Sequence, residues 1–410
     1  MERGLAANRL MIAYCPEKPI VSKLDKSASL TCSRPKRVLH VVENLNRGAV
    51  ETWLVRMLRH ARRRNVDVDW TFYCALGQPG EIEQEARALG ARVIYSPVPL
   101  ATKTQFVRAL RVELRRGNYE VLHCHHDLVS AVYLLAAAGF PIGRRIVHVH
   151  NADETIPTPN RFKQRFYREP MRCICLAMAD RLIGNSNHTL DTFLAGRSRR
   201  LGRDDVHYYG VDSRPFEDIT ADRAGFRRQL GLSENALILL FAGRLVPEKN
   251  PVFAADVLSE LQHMNSQAVA VFAGAGSQEE AVLARARELG IGNSIRPLGW
   301  RRDLPEIMGC SDWFILPHPE QPMEGFGVAV VEAQLAGLRM LLSCGIPDDP
   351  LLPAASFRRL PLSAGPKAWA EAAIDLLRAP MPSRATALAA LRKSPVDIDR
   401  ALDALVGLHA

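Results

Sequence analysis

The chain has 410 residues, enough for two domains of ordinary size. Hydrophobic residues make up 47% and charged residues 24%, a globular usage that excludes a disordered tail protein, a collagen-like fibre or a coiled coil. Net charge is +9, yet residues 1–200 carry 32 Lys and Arg against 18 Asp and Glu, while residues 201–410 carry 21 against 26. A basic first half suits nucleic acid, an anionic membrane surface or a phosphate-bearing substrate.

Residues 1–35 are polar, show no periodicity and are expected to form a flexible extension without a signal peptide. Strand-like runs then alternate with helical patterns. The strands are expected at Val38–Val42, Val68–Cys74, Arg92–Tyr95, Val121–Cys124, Ile146–Val149, Leu182–Gly184 and Val206–Tyr209. Helical spacing fills 51–64, 79–88, 104–116, 127–138, 161–179 and 187–195. A polar stretch, Asp212–Ala221, reads as a hinge. The alternation then restarts with strands at Leu237–Ala242, Ala268–Ala273, Ile295–Leu298, Trp313–Leu316 and Met340–Ser343, and helices at 251–263, 278–289, 302–309, 327–336 and 366–378. Continuous apolar strands between helices imply parallel sheets covered on both faces. The expected architecture is therefore α/β: two doubly wound Rossmann-like domains, 36–211 and 212–380, facing a cleft. After Pro380 and Pro382 a tail, 381–410, resumes helical periodicity. It either crosses back onto the first domain or packs on the second.

No apolar run reaches the roughly 18 residues of a membrane span. The eight cysteines form no C-x-x-C pair, which argues against a zinc site or a disulfide framework.

Chemistry concentrates in the loops that follow strands. Glu324-Gly325-Phe326-Gly327-Val328 precedes a helix that carries Glu332 two turns further on, on the same face. Free N–H groups at a helix start attract anions, and the two glycines allow close approach. Two carboxylates beside such a row suit a ligand with sugar hydroxyls and phosphates. The plain alternative is an N-terminal Glu favoured by the helix dipole and a solvated mid-helix Glu. Gly243-Arg244 and Lys249 place two cations in one strand-to-helix loop, a phosphate-binding arrangement or a solvated charged loop; it is not a P-loop. In the first half, Asn46-Arg47-Gly48-Ala49-Val50-Glu51 joins the first strand to its helix. His123, His125, His126, His148 and His150 follow or end two adjacent strands, where they are expected to line the cleft, with satisfied structural histidines as the alternative. They lack the spacing of a zinc motif.

Together these residues resemble the retaining family 4 glycosyltransferases of GT-B fold, over most of residues 36–380. The Glu324-x7-Glu332 segment carries the most specific part of the likeness. Arg244 with Lys249, Phe272-Ala-Gly-Ala-Gly276, Gly299-Trp-Arg-Arg-Asp303 and Asn185-Ser-Asn-His-Thr189 match further motifs. Asn46-Arg-Gly-Ala-Val-Glu51 and His148-Val-His150-Asn151 look most like capsular and exopolysaccharide enzymes. The family's Gly-Gly pair is Gly48-Ala49 here, and its Asn before Gly is Tyr209.

The resemblance implies transfer of a sugar from a nucleotide-sugar to a saccharide acceptor with retention of configuration. Arg244 and Lys249 would neutralise the diphosphate in place of a metal, so no metal or other cofactor is expected. Gly325, Phe326, Gly327 and Val328 would line the donor site. Glu332 would accept from the ribose, Glu324 would hold the donor sugar, and His150 would reach the sugar from the first half. Gly48 and Glu51 would form an acceptor-side loop. Other GT-B enzymes, such as a nucleotide-sugar epimerase or a phosphorylase, and a catalytically degenerate transferase kept as a binding partner are the alternatives. No nucleic-acid motif is visible.

Two predicted helices carry arginines at helical spacing: Arg56, Arg59 and Arg63 in one, Arg108, Arg111 and Arg115 in the other. They read either as solvated faces or as an electrostatic footprint on the anionic inner leaflet of the plasma membrane. The second reading gives a cytoplasmic, peripheral enzyme acting on a lipid-linked saccharide.

Overall fold

The computed structural model describes residues 34–151, 164–353 and 355–410. The expected extension, 1–35, lies almost wholly outside the described residues, as does the start of the helix expected at 161. In chain order the first half contains β1 (Arg37–Val42), α1 (Ala49–Arg63), β2 (Asp69–Cys74), α2 (Glu83–Ala88), β3 (Arg92–Tyr95), α3 (Lys103–Gly117), β4 (Val121–Cys124), α4 (Ser130–Ala137), β5 (Arg144–Val149), α5 (Glu169–Met178), β6 (Arg181–Gly184), α6 (Asn187–Leu194) and β7 (Asp204–Val206). Two short helices follow, α7 (Arg214–Glu217) and α8 (Arg223–Gln229). The second half contains β8 (Leu237–Ala242), α9 (Pro251–Met264), β9 (Ala268–Ala273), α10 (Glu279–Glu288), β10 (Ile295–Gly299), α11 (Leu304–Cys310), β11 (Trp313–Leu316), α12 (Val328–Leu335), β12 (Arg339–Ser343), β13 (Phe357–Leu360) and α13 (Gly365–Arg378). The tail forms α14 (Arg384–Lys393) and α15 (Ile398–His409).

Among the described residues the strands form two parallel sheets. One has seven strands in the order β3-β2-β1-β4-β5-β6-β7, the other six in the order β10-β9-β8-β11-β12-β13. Both orders step outward in two directions from the first strand, so each half has a switch point with loops at the carboxyl ends of its central strands. Strands such as Leu237–Ala242 and Ala268–Ala273 are almost wholly buried because helices cover both faces. Each fully buried Val, Leu or Phe contributes on the order of 1.5–3 kcal/mol. β13 is the strand that apolar runs do not announce: Phe357-Arg-Arg-Leu360 is an edge strand, half exposed, and its two arginines hide it.

The tail does both of the things expected of it. α14 packs on α12 in the second half, and α15 crosses back onto α1 in the first. Val211 and Val396 run side by side between the halves, the Val211 N–H donating to the Val396 carbonyl at 2.9 Å. Gly210 is required there, since a Cβ would lie 2.9 Å from Ala401 Cβ. α15 is anchored by His60 Nε2 to Asp399 at 2.8 Å and by Arg64 Nη1 to Asp403 at 2.8 Å.

This packing corrects the reading of the α1 arginines. α1 is buried on two sides, under the sheet and under α15, so its helical row is not a free face. Arg59 pairs with Glu85, Arg63 lies 3.6 Å from Asp212, and Arg56 donates to the Gly210 carbonyl at 3.4 Å. In α3, Arg111 caps the carbonyls of Ala136 and Ala138, whereas Arg108 and Arg115 are exposed.

Candidate active site

The carboxyl ends of the two sheets meet at the Glu324–Val328 loop. Gly325 touches the first half: a Cβ there would stand 2.6 Å from the carbonyl oxygen of His150. That carbonyl also accepts from Asn185 Nδ2 at 2.9 Å. A side chain at 325 would push the two halves apart, so the glycine is needed for close approach. Phe326 is buried against the rings of Tyr208 and Tyr209, at 5.7 and 6.1 Å. Gly327 has φ +89°, turns the chain and caps α12, whose first residue is Val328. Of the first N–H groups of α12, that of Val330 donates to the Gly327 carbonyl at 2.9 Å, which leaves those of Val328 and Ala329 as donors at the helix start.

Glu324 is bound to Lys249, and its Oε2 lies 3.7 Å from His318 Nε2. Burial alone would raise its pKa, but Lys249 and His318 overcome this and hold the carboxyl below its usual range. The two loops singled out in the second half are therefore coupled through one charge-assisted contact. Arg244, in the loop of Lys249, is exposed. Backbone-to-backbone packing sets this loop: a Cβ on Gly274 would overlap the Gly243 carbonyl, and one on Gly276 would overlap that of Leu245. Glu332 is raised by burial, and the charge that opposes this is Arg56 of the first half. Arg56 thus belongs to the cleft, a role that its helical spacing concealed.

On the first half, Gly48 caps α1 and Glu51 lies in its first turn, 9% exposed. Arg47 stacks on Trp300 of the second half, its guanidinium carbon 4.2 Å from the ring centroid.

The histidines do not line the cleft as expected. Alternation along β1, β4 and β5 sends His40, His123, His125, His148 and His150 to one sheet face, beneath α1 and α15. His207 beside Trp53, and His409 beside His40 and His123, complete a buried cluster of rings. His40 Nδ1 meets His125 Nε2 at 3.0 Å, His125 Nδ1 meets His150 Nε2 at 3.0 Å, and His150 Nδ1 meets the Tyr209 hydroxyl at 2.7 Å. Both ring nitrogens of His150 are thus engaged within the core, and the ring does not project freely to a sugar. Burial lowers its pKa to about 3, helped by His126 and His207, so the ring is neutral. The groups His40, His123, His125 and His125, His148, His150 bring ligand atoms within 4.8 Å of one another; most of these ring nitrogens pair with a neighbouring ring, while Nε2 of His40 and of His148 has no hydrogen-bond partner among the described residues. Sequence reasoning missed His40, His207 and His409, which stand far apart in the chain. Tyr209 replaces the family's Asn and supplies the phenol that ends this chain of rings.

An open recess of about 550 Å3 lies beside Glu324, lined by Asn187, Tyr208, Met323, Asp348, Asp349 and Arg359 among others. Asn187 Nδ2 donates to Asp349 Oδ1 at 2.7 Å across it.

Two facing Rossmann-like domains, with a carboxylate-bearing loop on one and a basic loop beside it, have the GT-B architecture, and two family models identify it as that of a glycosyltransferase. The family model for Glycosyltransferase Family 4 matches residues 50–214, and that for Glycosyl transferases group 1 matches residues 222–347. The chain belongs to this glycosyltransferase family. EpsF of Bacillus subtilis (strain 168) is 27% identical over 383 residues, 92% of this chain and 97% of that protein. The UDP-Gal:alpha-D-GlcNAc-diphosphoundecaprenol alpha-1,3-galactosyltransferase of Escherichia coli is 25% identical over 272 residues, 64% of this chain and 67% of the relative. HepE of Anabaena, solved with UDP, shares the fold with a TM-score of 0.73 at 18% identity, covering 90% of this chain and 98% of that one. Among the described residues no helix is long and apolar enough to cross a membrane.

Proposed function

We propose that this protein transfers a sugar from a nucleotide-sugar, most simply a UDP-sugar, to a lipid-linked saccharide in polysaccharide biosynthesis, with retention of anomeric configuration. The observation that carries this reading is the junction of Glu324 with Lys249 at the loop where Gly325 meets the first half. Arg244 and Lys249 hold the diphosphate, whose charge grows as the bond from the anomeric carbon to phosphate oxygen breaks. Glu324 orients the donor sugar's hydroxyls and Glu332 the ribose. An acceptor hydroxyl attacks the same face of the anomeric carbon, and its proton passes to the departing phosphate. The protein's own cations do this work, so no metal is required. HepE binds UDP and, in another crystal, UDP-glucose, which supports the donor class.

The recess along Asp348, Asp349, Asn187 and Tyr208 suits the acceptor. Carboxylates, an amide and an aromatic face recognise sugar hydroxyls and ring C–H groups, and Arg359 is already paired with Asp348 at 2.6 Å. The name of the Escherichia coli relative specifies a diphosphoundecaprenol acceptor, which supports a lipid-linked one here. Exposed Arg108, Arg115 and Arg116 on α3 would face an anionic leaflet and hold the enzyme peripherally on the cytoplasmic side.

A thermal-shift panel of nucleotide diphosphates and nucleotide-sugars tests the donor. Ligand at 100 times its Kd stabilises by about 2.7 kcal/mol. Product analysis with and without a saccharide acceptor then separates transfer from epimerisation, which needs no acceptor. If no nucleotide-sugar shifts the midpoint, the reading fails.

A further inference from the structure

Glu51 is a carboxylate without a counter-ion in a buried place. It is 9% exposed, and among the described residues no side chain makes a hydrogen bond or ion pair with it. Its carboxylate turns back over Gly48, where a Cβ would overlap Oε2, and accepts from its own backbone N–H. It therefore occupies the anion position at the start of α1, a 15-residue helix. The charge that faces it across the cleft is Arg244. An anion drawn to Arg244 therefore comes into the field of Glu51.

Two negative groups at one seat repel, and among the described residues no side-chain cation pairs with Glu51 to separate them. We propose that Glu51 takes up a proton from solvent when the donor binds and then donates its O–H to a diphosphate oxygen, so that donor binding is linked to protonation. This rests on the donor reading above, since it needs the diphosphate beside Arg244. The ionisation of Glu51 is already poised for such a change. Burial pushes its pKa up to about 7, with its own N–H and Arg244 opposing and Glu43 reinforcing. The other titratable groups that sense Glu51 are Cys74 at the end of β2 and Tyr209 on the linker. Burial raises both, Cys74 to about 12, so neither exchanges protons near neutrality. The diphosphate diester of a nucleotide-sugar has no ionisation near neutral pH, so uptake on binding reports the protein.

The experiment is calorimetric titration of the full chain with UDP-glucose at pH 7, in buffers of widely different ionisation enthalpy, with GDP- and ADP-sugars in parallel. Wild type should take up about half a proton per ligand, and its affinity should fall about tenfold per pH unit above pH 8. Glu51→Gln, whose amide keeps a donor without a charge, should bind with uptake near zero and with an affinity flat in pH. Wild-type binding heats that do not depend on the buffer overturn the proposal and leave the donor reading intact. A folded Glu51→Gln protein that no longer binds also overturns it. Failure of wild type to bind any nucleotide-sugar at any pH removes the donor reading instead, and this proposal with it.

Discussion

Acid should weaken this fold well before most of its carboxylates protonate. His150 and His409 are held by burial near pKa 3 and His126 near 4, against about 6.5 in an unfolded chain. A base whose pKa is depressed on folding keeps its full stabilising contribution above the unfolded pKa. It loses that contribution as pH falls below about 6.5, because the unfolded state then binds the proton and the folded state does not. At pH 5.5 each of the three costs about 1.4 kcal/mol, about 4 kcal/mol together. Burial lowers His40, His123, His125, His148 and His207 in the same direction and enlarges the loss. Glu51 acts oppositely: with a folded pKa of about 7 it gains a proton on folding below pH 7. At pH 5.5 that returns about 2 kcal/mol. The net remains a loss, a large fraction of the 5–15 kcal/mol typical of a folded protein. Thermal midpoints read by circular dichroism between pH 7.5 and 5.5 test this. The midpoint should fall with acid, fall further in Glu51→Gln, and fall less in His409→Leu. A midpoint unchanged over that range would refute the view that the stack is buried and neutral.

Glu324→Gln and Lys249→Ala should each cut sugar transfer about 10²–10³-fold while far-UV circular dichroism is retained; near-wild-type turnover in both would sink the site. Transfer should survive excess EDTA, because Arg244 and Lys249 supply the positive charge; loss restored by Mg²⁺ or Mn²⁺ would count against this. Sedimentation with anionic liposomes should fall with salt and weaken in Arg108→Gln/Arg115→Gln, whereas Arg59→Gln, already paired to Glu85, should leave it unchanged. Equal binding to neutral vesicles would defeat a charge-driven footprint.

What the sequence made legible follows from which forces act locally. Strands buried on both faces need apolar residues throughout, so β8, β9 and β11 were readable to the residue. An edge strand answers to one neighbour and to water, and Arg358 and Arg359 therefore disguised β13. The Glu324–Val328 loop was readable because glycine, aromatic and carboxylate each answer a local demand. Partners across the cleft were not. Arg56 looked like one of a row of surface arginines because a helix wheel shows only which residues share a face, never what covers it. The histidines likewise showed their strands but not their neighbours, since His409 reaches His123 from 286 residues away.

The cleft is built so that each half completes the other's charges without locking the two together. Glu332 is answered by Arg56 and Glu51 by Arg244, and neither couple forms a direct ion pair among the described contacts. The stacking of Arg47 on Trp300 spans the mouth, but Trp300 is 56% exposed. At such exposure a cation–π contact is worth about 0.5–1 kcal/mol, only a few-fold in an opening equilibrium. Continuous packing lies on the opposite side, where Val211 pairs with Val396 and α15 is packed on α1, while at the cleft the halves meet through separate contacts such as Asn187 with Asp349 and Phe326 with Tyr208. A cleft held strongly along one edge and weakly at its mouth opens about that edge. Glu51, Glu332, Arg56 and Arg244, which form no direct ion pair with one another, are left for a ligand that brings both a diphosphate and hydroxyl groups.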